Sequence, residues 1–147
     1  MNISNQEYGE LAKRVSPPSA MIKTIPMAFV IGGTICTLGE ALLNMYAALG
    51  FTQDNAGAMT SLTLIFLSAL LTGLKLYDRI AQFAGAGTLV PITGFANSVV
   101  SPALEFKSEG YVLGLGAKMF VIAGPVLVYG ISASVVYGIV YYIQTLL

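Results

Sequence analysis

The chain has 147 residues, of which 56% are hydrophobic and 10% charged; seven basic and seven acidic residues cancel, histidine and tryptophan are absent, and there is one cysteine. A soluble domain carries about 25% charge, so this composition, with a mean hydropathy of +0.78, places the chain in a membrane, and its zero net charge offers no surface for nucleic acid. Without histidine there is no imidazole for general-base or metal chemistry, and Cys36 alone cannot close an internal disulfide.

Residues 1–24 are polar and read as a cytosolic N-terminal segment ahead of a single transmembrane domain over 25–147. Glu7, Glu10, Lys13 and Arg14 fall at helical spacings, which predicts a short amphipathic helix on the membrane surface, broken by Ser16-Pro17-Pro18-Ser19. No cleavable signal peptide is visible. The expected fold is all-α and polytopic: three long spans at about 25–49, 58–76 and 111–147, with a broken or re-entrant segment over 80–106. A four-span bundle is the alternative.

Span one places Pro26 in its first turn, where the missing N–H is harmless. Ala28, Gly32, Cys36, Glu40, Asn44 and Ala48 recur every four residues. Four residues overshoot a turn by about 40°, so they form a slanting stripe and not one face. Glu40 is the only carboxylate inside a long apolar run. An ionised side chain at the bilayer centre costs about 3 kcal/mol on insertion scales unless it is paired, hydrated or protonated. Glu40 is therefore expected to face a polar pathway or a subunit contact, with Asn44 one turn on as a hydrogen-bonding neighbour. A protonated structural glutamate, or one reaching outward, is the other reading.

Gly50 to Ala58 reads as a loop turning at Asp54-Asn55. The hydroxyls of span two (Thr60, Ser61, Thr63, Ser68, Thr72) are expected to bond back to their own helix, Ala69 and Gly73 to pack closely, and Lys75, Asp78 and Arg79 to anchor the interface. The stretch Ala84–Pro102 that follows is apolar yet carries Gly85, Gly87, Pro91, Gly94 and Pro102. Such a sequence does not make one straight span, and broken backbone survives at membrane depth only where protein or water satisfies it. A short helix is expected over Tyr77–Ala84, unwinding at Gly85-Ala86-Gly87, then a second segment from about Val90 to Phe106 carrying Asn97 and Ser98. A polar loop from Glu105 to Glu109 ends at Gly110. Span three should kink at Gly124-Pro125, and Gly130, Ser134 and Gly138 form a small-residue series for helix packing.

If the broken segment enters and leaves on one side, Lys13, Arg14, Lys23, Lys75, Arg79, Lys107 and Lys118 all share that side. The positive-inside rule then puts the N-terminus in the cytosol and favours re-entry. No catalytic constellation, metal-ligand cluster, cofactor fingerprint or nucleotide-binding loop is present, so an enzyme is not expected. A chain this small encloses no generous pore, so transport would require a homo- or hetero-oligomer.

The run Ala84-Gly85-Ala86-Gly87-Thr88, the segment Pro91-Ile92-Thr93-Gly94-Phe95-Ala96-Asn97-Ser98, the loop Glu105-Phe106-Lys107-x-Glu109-Gly110 and the pair Gly124-Pro125 together resemble the stage V sporulation protein AC family, with its AE paralogues. The resemblance covers nearly the whole chain. It implies a polytopic protein of the spore inner membrane, working with other membrane and soluble proteins of the stage V sporulation A operon. It further implies a channel subunit for dipicolinic acid, taken up by the forespore and released with calcium on germination. For such a dianion, Gly85, Gly87, Pro91 and Gly94 become hinge and backbone-donor candidates, as do Gly124 and Pro125 for the kink. Thr93, Asn97, Ser98 and Lys118 become pathway candidates, with Glu40 and Asn44 as a gate, a calcium contact, or a partner of Asn97 or Lys118. A non-conducting scaffold and a tension-gated channel are the competing readings.

Overall fold

The computed structural model describes residues 5–15 and 21–146. The elements run α1 (Asn5–Val15), α2 (Met21–Ala48), α3 (Gln53–Gly73), α4 (Tyr77–Ala84), a 3-10 turn (Gly85–Thr88), α5 (Pro91–Glu105), a second 3-10 turn (Phe106–Glu109), a wide π-type turn (Tyr111–Gly116) and α6 (Phe120–Leu146). No strand occurs among the described residues. Three stretches are long and apolar enough to cross a membrane: Met21–Ala48, Gln53–Gly73 and Tyr111–Leu146. The all-α, three-span expectation therefore holds. The breaker expected at Ser16–Ser19 lies outside the described residues.

Several boundaries move. The first long helix begins at Met21, so Pro26 sits inside α2 and not in its first turn. The loop expected over Gly50–Ala58 is much shorter, because α3 already starts at Gln53. Asp54 and Asn55, expected as a turn, lie in the first turn of α3, where a carboxylate meets the positive end of the helix dipole. Span two also ends earlier, at Gly73. Among the described residues, none lies within 4 Å of the Cβ position at Gly73. In the last span Pro125 lies inside α6, and a wide π-type turn precedes that helix.

α2 and α3 form an antiparallel hairpin. The Tyr46 hydroxyl lies 2.8 Å from Thr63 Oγ1, which itself donates to the Met59 carbonyl, so Tyr46 is the donor. Deeper in the hairpin, Gly39 faces Leu64. The buried side of α3 is Ala56, Thr60, Leu64, Ser68 and Thr72, one residue per turn. Apart from Leu64 these side chains are small and let α2 and α5 approach closely, the usual solution where water is absent and packing carries the association. α6 meets the rest of the chain only near its start, where Ala123 is buried. From Val126 onward its residues are exposed.

Candidate functional site

The course of the broken segment follows from two hydrogen bonds. Ser68 Oγ donates to the Thr93 carbonyl at 2.7 Å, and Thr72 Oγ1 lies 2.9 Å from Asn97 Oδ1. Both pairs are separated by 25 residues, so α5 runs alongside α3 in the same direction. Its start, Pro91, lies about seven residues, or about 10 Å, inside the end of α3. Its last turn reaches the end of α3, where Ser101, Leu104 and Glu105 share a recess with Thr72, Gly73, Lys75 and Asp78. The chain thus leaves α3, dips inward through α4, turns and comes back out through α5 on the side it left. The segment is a re-entrant hairpin and does not cross.

Its tip is the 3-10 turn, seated on α2. A Cβ at Gly87 would lie 2.5 Å from the Ala28 carbonyl oxygen and 2.8 Å from Ala28 Cα. A Cβ at Gly32 would stand 3.3 Å from the Gly87 oxygen. Glycine is required at Gly87 because the two backbones touch. Gly94, in the first turn of α5, is pressed against the same tip, with a Cβ position 3.0 Å from the Thr88 carbonyl. Gly85 turns the chain at φ 51°. Pro91 opens α5, where no N–H is needed. Buried Tyr77, at the start of α4, donates its hydroxyl to the Thr88 carbonyl at 2.8 Å and ties the start of α4 to the tip.

The rungs between α3 and α5 also fix an amide orientation. Thr72 Oγ1 has one proton and lies 2.7 Å from the Ser68 carbonyl as well as near Asn97. One hydroxyl cannot donate to both. The arrangement is satisfied when the Asn97 carboxamide presents its NH2 to Thr72 and Thr72 donates to Ser68. The Asn97 oxygen is then left free to accept from another donor. The recess holds about 600 Å³, and its charged residues are Lys75, Asp78 and Glu105. A second, largely apolar groove of about 350 Å³ runs between α2, α3 and α4, with Ser68, Thr88 and Thr93 in its wall.

The sequence-derived candidates fall in three places. Thr93, Asn97, Gly85, Gly87, Pro91 and Gly94 belong to the hairpin. Ser98 lies on α5, but its hydroxyl donates to the Phe95 carbonyl of its own helix at 2.8 Å. Lys118 lies beyond the hairpin, its ammonium 4.7 Å from the centre of the Phe106 ring, a cation–π contact. Glu40 and Asn44 are elsewhere: both are exposed on the outward side of α2 and bond to each other at 3.1 Å. Within one chain Glu40 therefore meets neither Asn97 nor Lys118. Gly124 and Pro125 lie in the first turns of α6, and Gly130, Ser134 and Gly138 stand exposed farther along it.

Ser68, Thr72 and Tyr77 are the site residues that sequence reasoning did not single out. Thr72 does bond back to its own helix as expected, and so do Ser61 and Thr63. Ser68 instead crosses to α5, and Thr60 Oγ1 is buried with no partner among the described residues. The four-residue recurrence Ala56, Thr60, Leu64, Ser68, Thr72 was the available signal.

Comparison with known proteins places these features in a family. The pattern of the SpoVAC/SpoVAEB sporulation membrane proteins matches residues 24–140, which runs from the first turn of α2 through most of α6. The chain is 47% identical over 136 residues to the stage V sporulation protein AC of Bacillus subtilis (strain 168), covering 92% of this chain and 91% of that protein. No solved structure matches.

Proposed function

The chain belongs to the SpoVAC/SpoVAEB family of sporulation membrane proteins, and on that premise we propose that it is a channel subunit for dipicolinic acid in the spore inner membrane. It serves uptake into the forespore and release, with calcium, on germination, and it does no chemistry on the solute. The observation that carries this reading is the re-entrant hairpin. It brings a helix start to a depth reached from one side only, and the first N–H groups of α5 have no intrahelical acceptor. Val90, ahead of α5, supplies no side-chain cap. Such a helix start is a favourable neighbour for a carboxylate. Lys75 in the recess suits the dianion, while Asp78 and Glu105 suit the accompanying cation.

The hairpin reaches in only as far as Ala28–Gly32 on α2 and Ser68 on α3. The remaining depth of a path must be lined by other elements, which supports action within an assembly of the other stage V sporulation A proteins. The exposed Gly130–Ser134–Gly138 series of α6 is a natural contact for them. Lys23, Lys75, Arg79, Lys107 and Lys118 stand at the hairpin's end of the bundle, so that end, with the N-terminus, is assigned to the cytosol.

The test is dipicolinate content in spores whose only copy carries Asn97→Leu or Gly94→Leu, with protein level measured alongside. Asn97→Leu removes the amide that meets Thr72 between α3 and α5 and leaves Thr72 bonded to Ser68. Gly94→Leu pushes α5 off the tip. Reduced loading at normal protein level is expected; unchanged loading in both would remove the hairpin from the path.

A further inference from the structure

α2 carries a second surface that the hairpin does not use. Its inward side, including Ala28, Ile35, Gly39 and Leu42, is half-buried against the rest of the bundle. On the opposite side, from Gly33 to Ala48, the exposed residues include Gly33, Cys36, Thr37, Glu40, Asn44 and Ala48. No large apolar side chain stands among them. Toward the helix start, Phe29 and Val30, seven residues before Cys36 and Thr37, continue this side with large apolar side chains, and Leu38 and Met45 are exposed on its flank, as a lipid-facing surface should. A carboxylate and a carboxamide thus stand outward in an apolar span, flanked by side chains small enough for another helix to close on them. Asn44 donates one N–H to Glu40 Oε1 at 3.1 Å. Neither group makes a hydrogen bond to another element among the described residues.

We propose that this face docks a second copy of this chain, in parallel across a twofold axis, with the Glu40–Asn44 pair of one copy set against that of the other. Orientation and hydrogen-bond self-complementarity decide the occupant. The basic residues Lys23, Lys75, Arg79, Lys107 and Lys118 all lie toward the opposite end of the bundle, so every copy inserts the same way. A neighbouring copy then brings no described cation to the depth of Glu40. It does bring an identical pair, holding both an acceptor carboxylate and an amide with one unused N–H. Such a pair is self-complementary, as a twofold contact requires. Each Glu40 then receives one N–H from its own Asn44 and one from the partner's Asn44, which offsets the repulsion between the two carboxylates. On α6, Ser134 is a poorer match, because its hydroxyl already donates to the Gly130 carbonyl at 2.8 Å.

The native cysteine makes the test direct, because Cys36 lies one turn from Glu40 on the same face and is exposed. The full-length chain in liposomes and in native membranes is oxidised with copper phenanthroline, and the products are separated without reductant and identified by mass. A dimer linked through Cys36 is expected. Glu40→Gln, which keeps the hydrogen bonding, should retain it, and Glu40→Leu should lower its yield at least fivefold. Leu38→Cys in a Cys36→Ser background places the thiol about 160° round the helix and should give no dimer. The proposal is overturned if Cys36 gives no dimer, if Leu38→Cys links as readily, if Glu40→Leu has no effect, if Ser134→Cys captures Cys36 in its place, or if Cys36 joins a different protein. The readout is a covalent link and not transport, so its failure leaves the solute reading untouched.

Discussion

Gly87 and Ala28 touch backbone to backbone: a Cβ on Gly87 would meet the Ala28 carbonyl oxygen at 2.5 Å. Gly87→Ala must therefore lift the hairpin tip off α2. A destabilisation of about 1–3 kcal/mol is expected, the range of overpacked sites, measured as loss of thermal stability in detergent. Gly57, within α3, has nothing within 4 Å of its Cβ position. Gly57→Ala should be neutral or gain up to about 1 kcal/mol from helix propensity. Equal losses in the two variants would count against the seating of the tip on α2.

Two hydroxyls on the same side of α3 should respond in opposite directions. Ser68 is 1% exposed and bonds across to α5, so Ser68→Ala should cost about 0.6–1.7 kcal/mol, the range measured for interhelical hydrogen bonds in membranes. Thr60 Oγ1 is buried without a partner among the described residues. Thr60→Val removes that unsatisfied group at similar shape and should be neutral or stabilise by about 1 kcal/mol. Thermal unfolding of the purified variants checks both signs.

Tyr77→Phe deletes the bond that ties the start of α4 to the tip. Loss of one such bond, about 1 kcal/mol, raises the fraction of open tip about fivefold. The readout is maleimide labelling of Thr88→Cys in a Cys36→Ser background. Thr88 is 5% exposed, so its labelling is slow until the tip opens, and Tyr77→Phe should speed it about fivefold. An unchanged rate would mean that the bond does not hold the tip to the start of α4.

Re-entry predicts sidedness. Cysteines at Asp78 and Ser108, in a Cys36→Ser background, should react with an impermeant reagent from the same side, and a cysteine at Gln53 from the other. Labelling of Asp78→Cys and Ser108→Cys from opposite sides would restore the four-span bundle.

The hairpin was the most legible part of the sequence. The bounds of α4, Tyr77–Ala84, followed from the glycines after it, and the return to one side followed from where the lysines and arginines lie. The start of α3 was misread because Asp and Asn serve equally in turns and in the first turn of a helix. The four-residue stripe of α2 was harder. Each step advances about 40°, so from Ala28 to Ala48 it walks about 200° round the helix. One end receives Gly87 and the other faces outward with Glu40. No single-helix pattern separates those two functions, because the division depends on where a distant 3-10 turn lands. The hydroxyls of Ser68 and Thr72 were underestimated for a similar reason: bonding back to the same helix and bonding across to another look alike in sequence.

The polar positions of α5 recur at Thr93, Asn97 and Ser101, and those of α3 facing them at Ser68 and Thr72. Both series have a period of four residues. The ladder therefore has a spare rung: slid one turn toward the tip, about 5.4 Å, α5 would set Asn97 beside Ser68 and Ser101 beside Thr72. Such a slide exchanges polar partners without stranding them in hydrocarbon. What resists it is the contact at Gly94 and Gly87, where backbone meets backbone and there is no slack. The hairpin is thus soft along its length and stiff at its point, like a latch whose bolt can travel only when the catch is lifted.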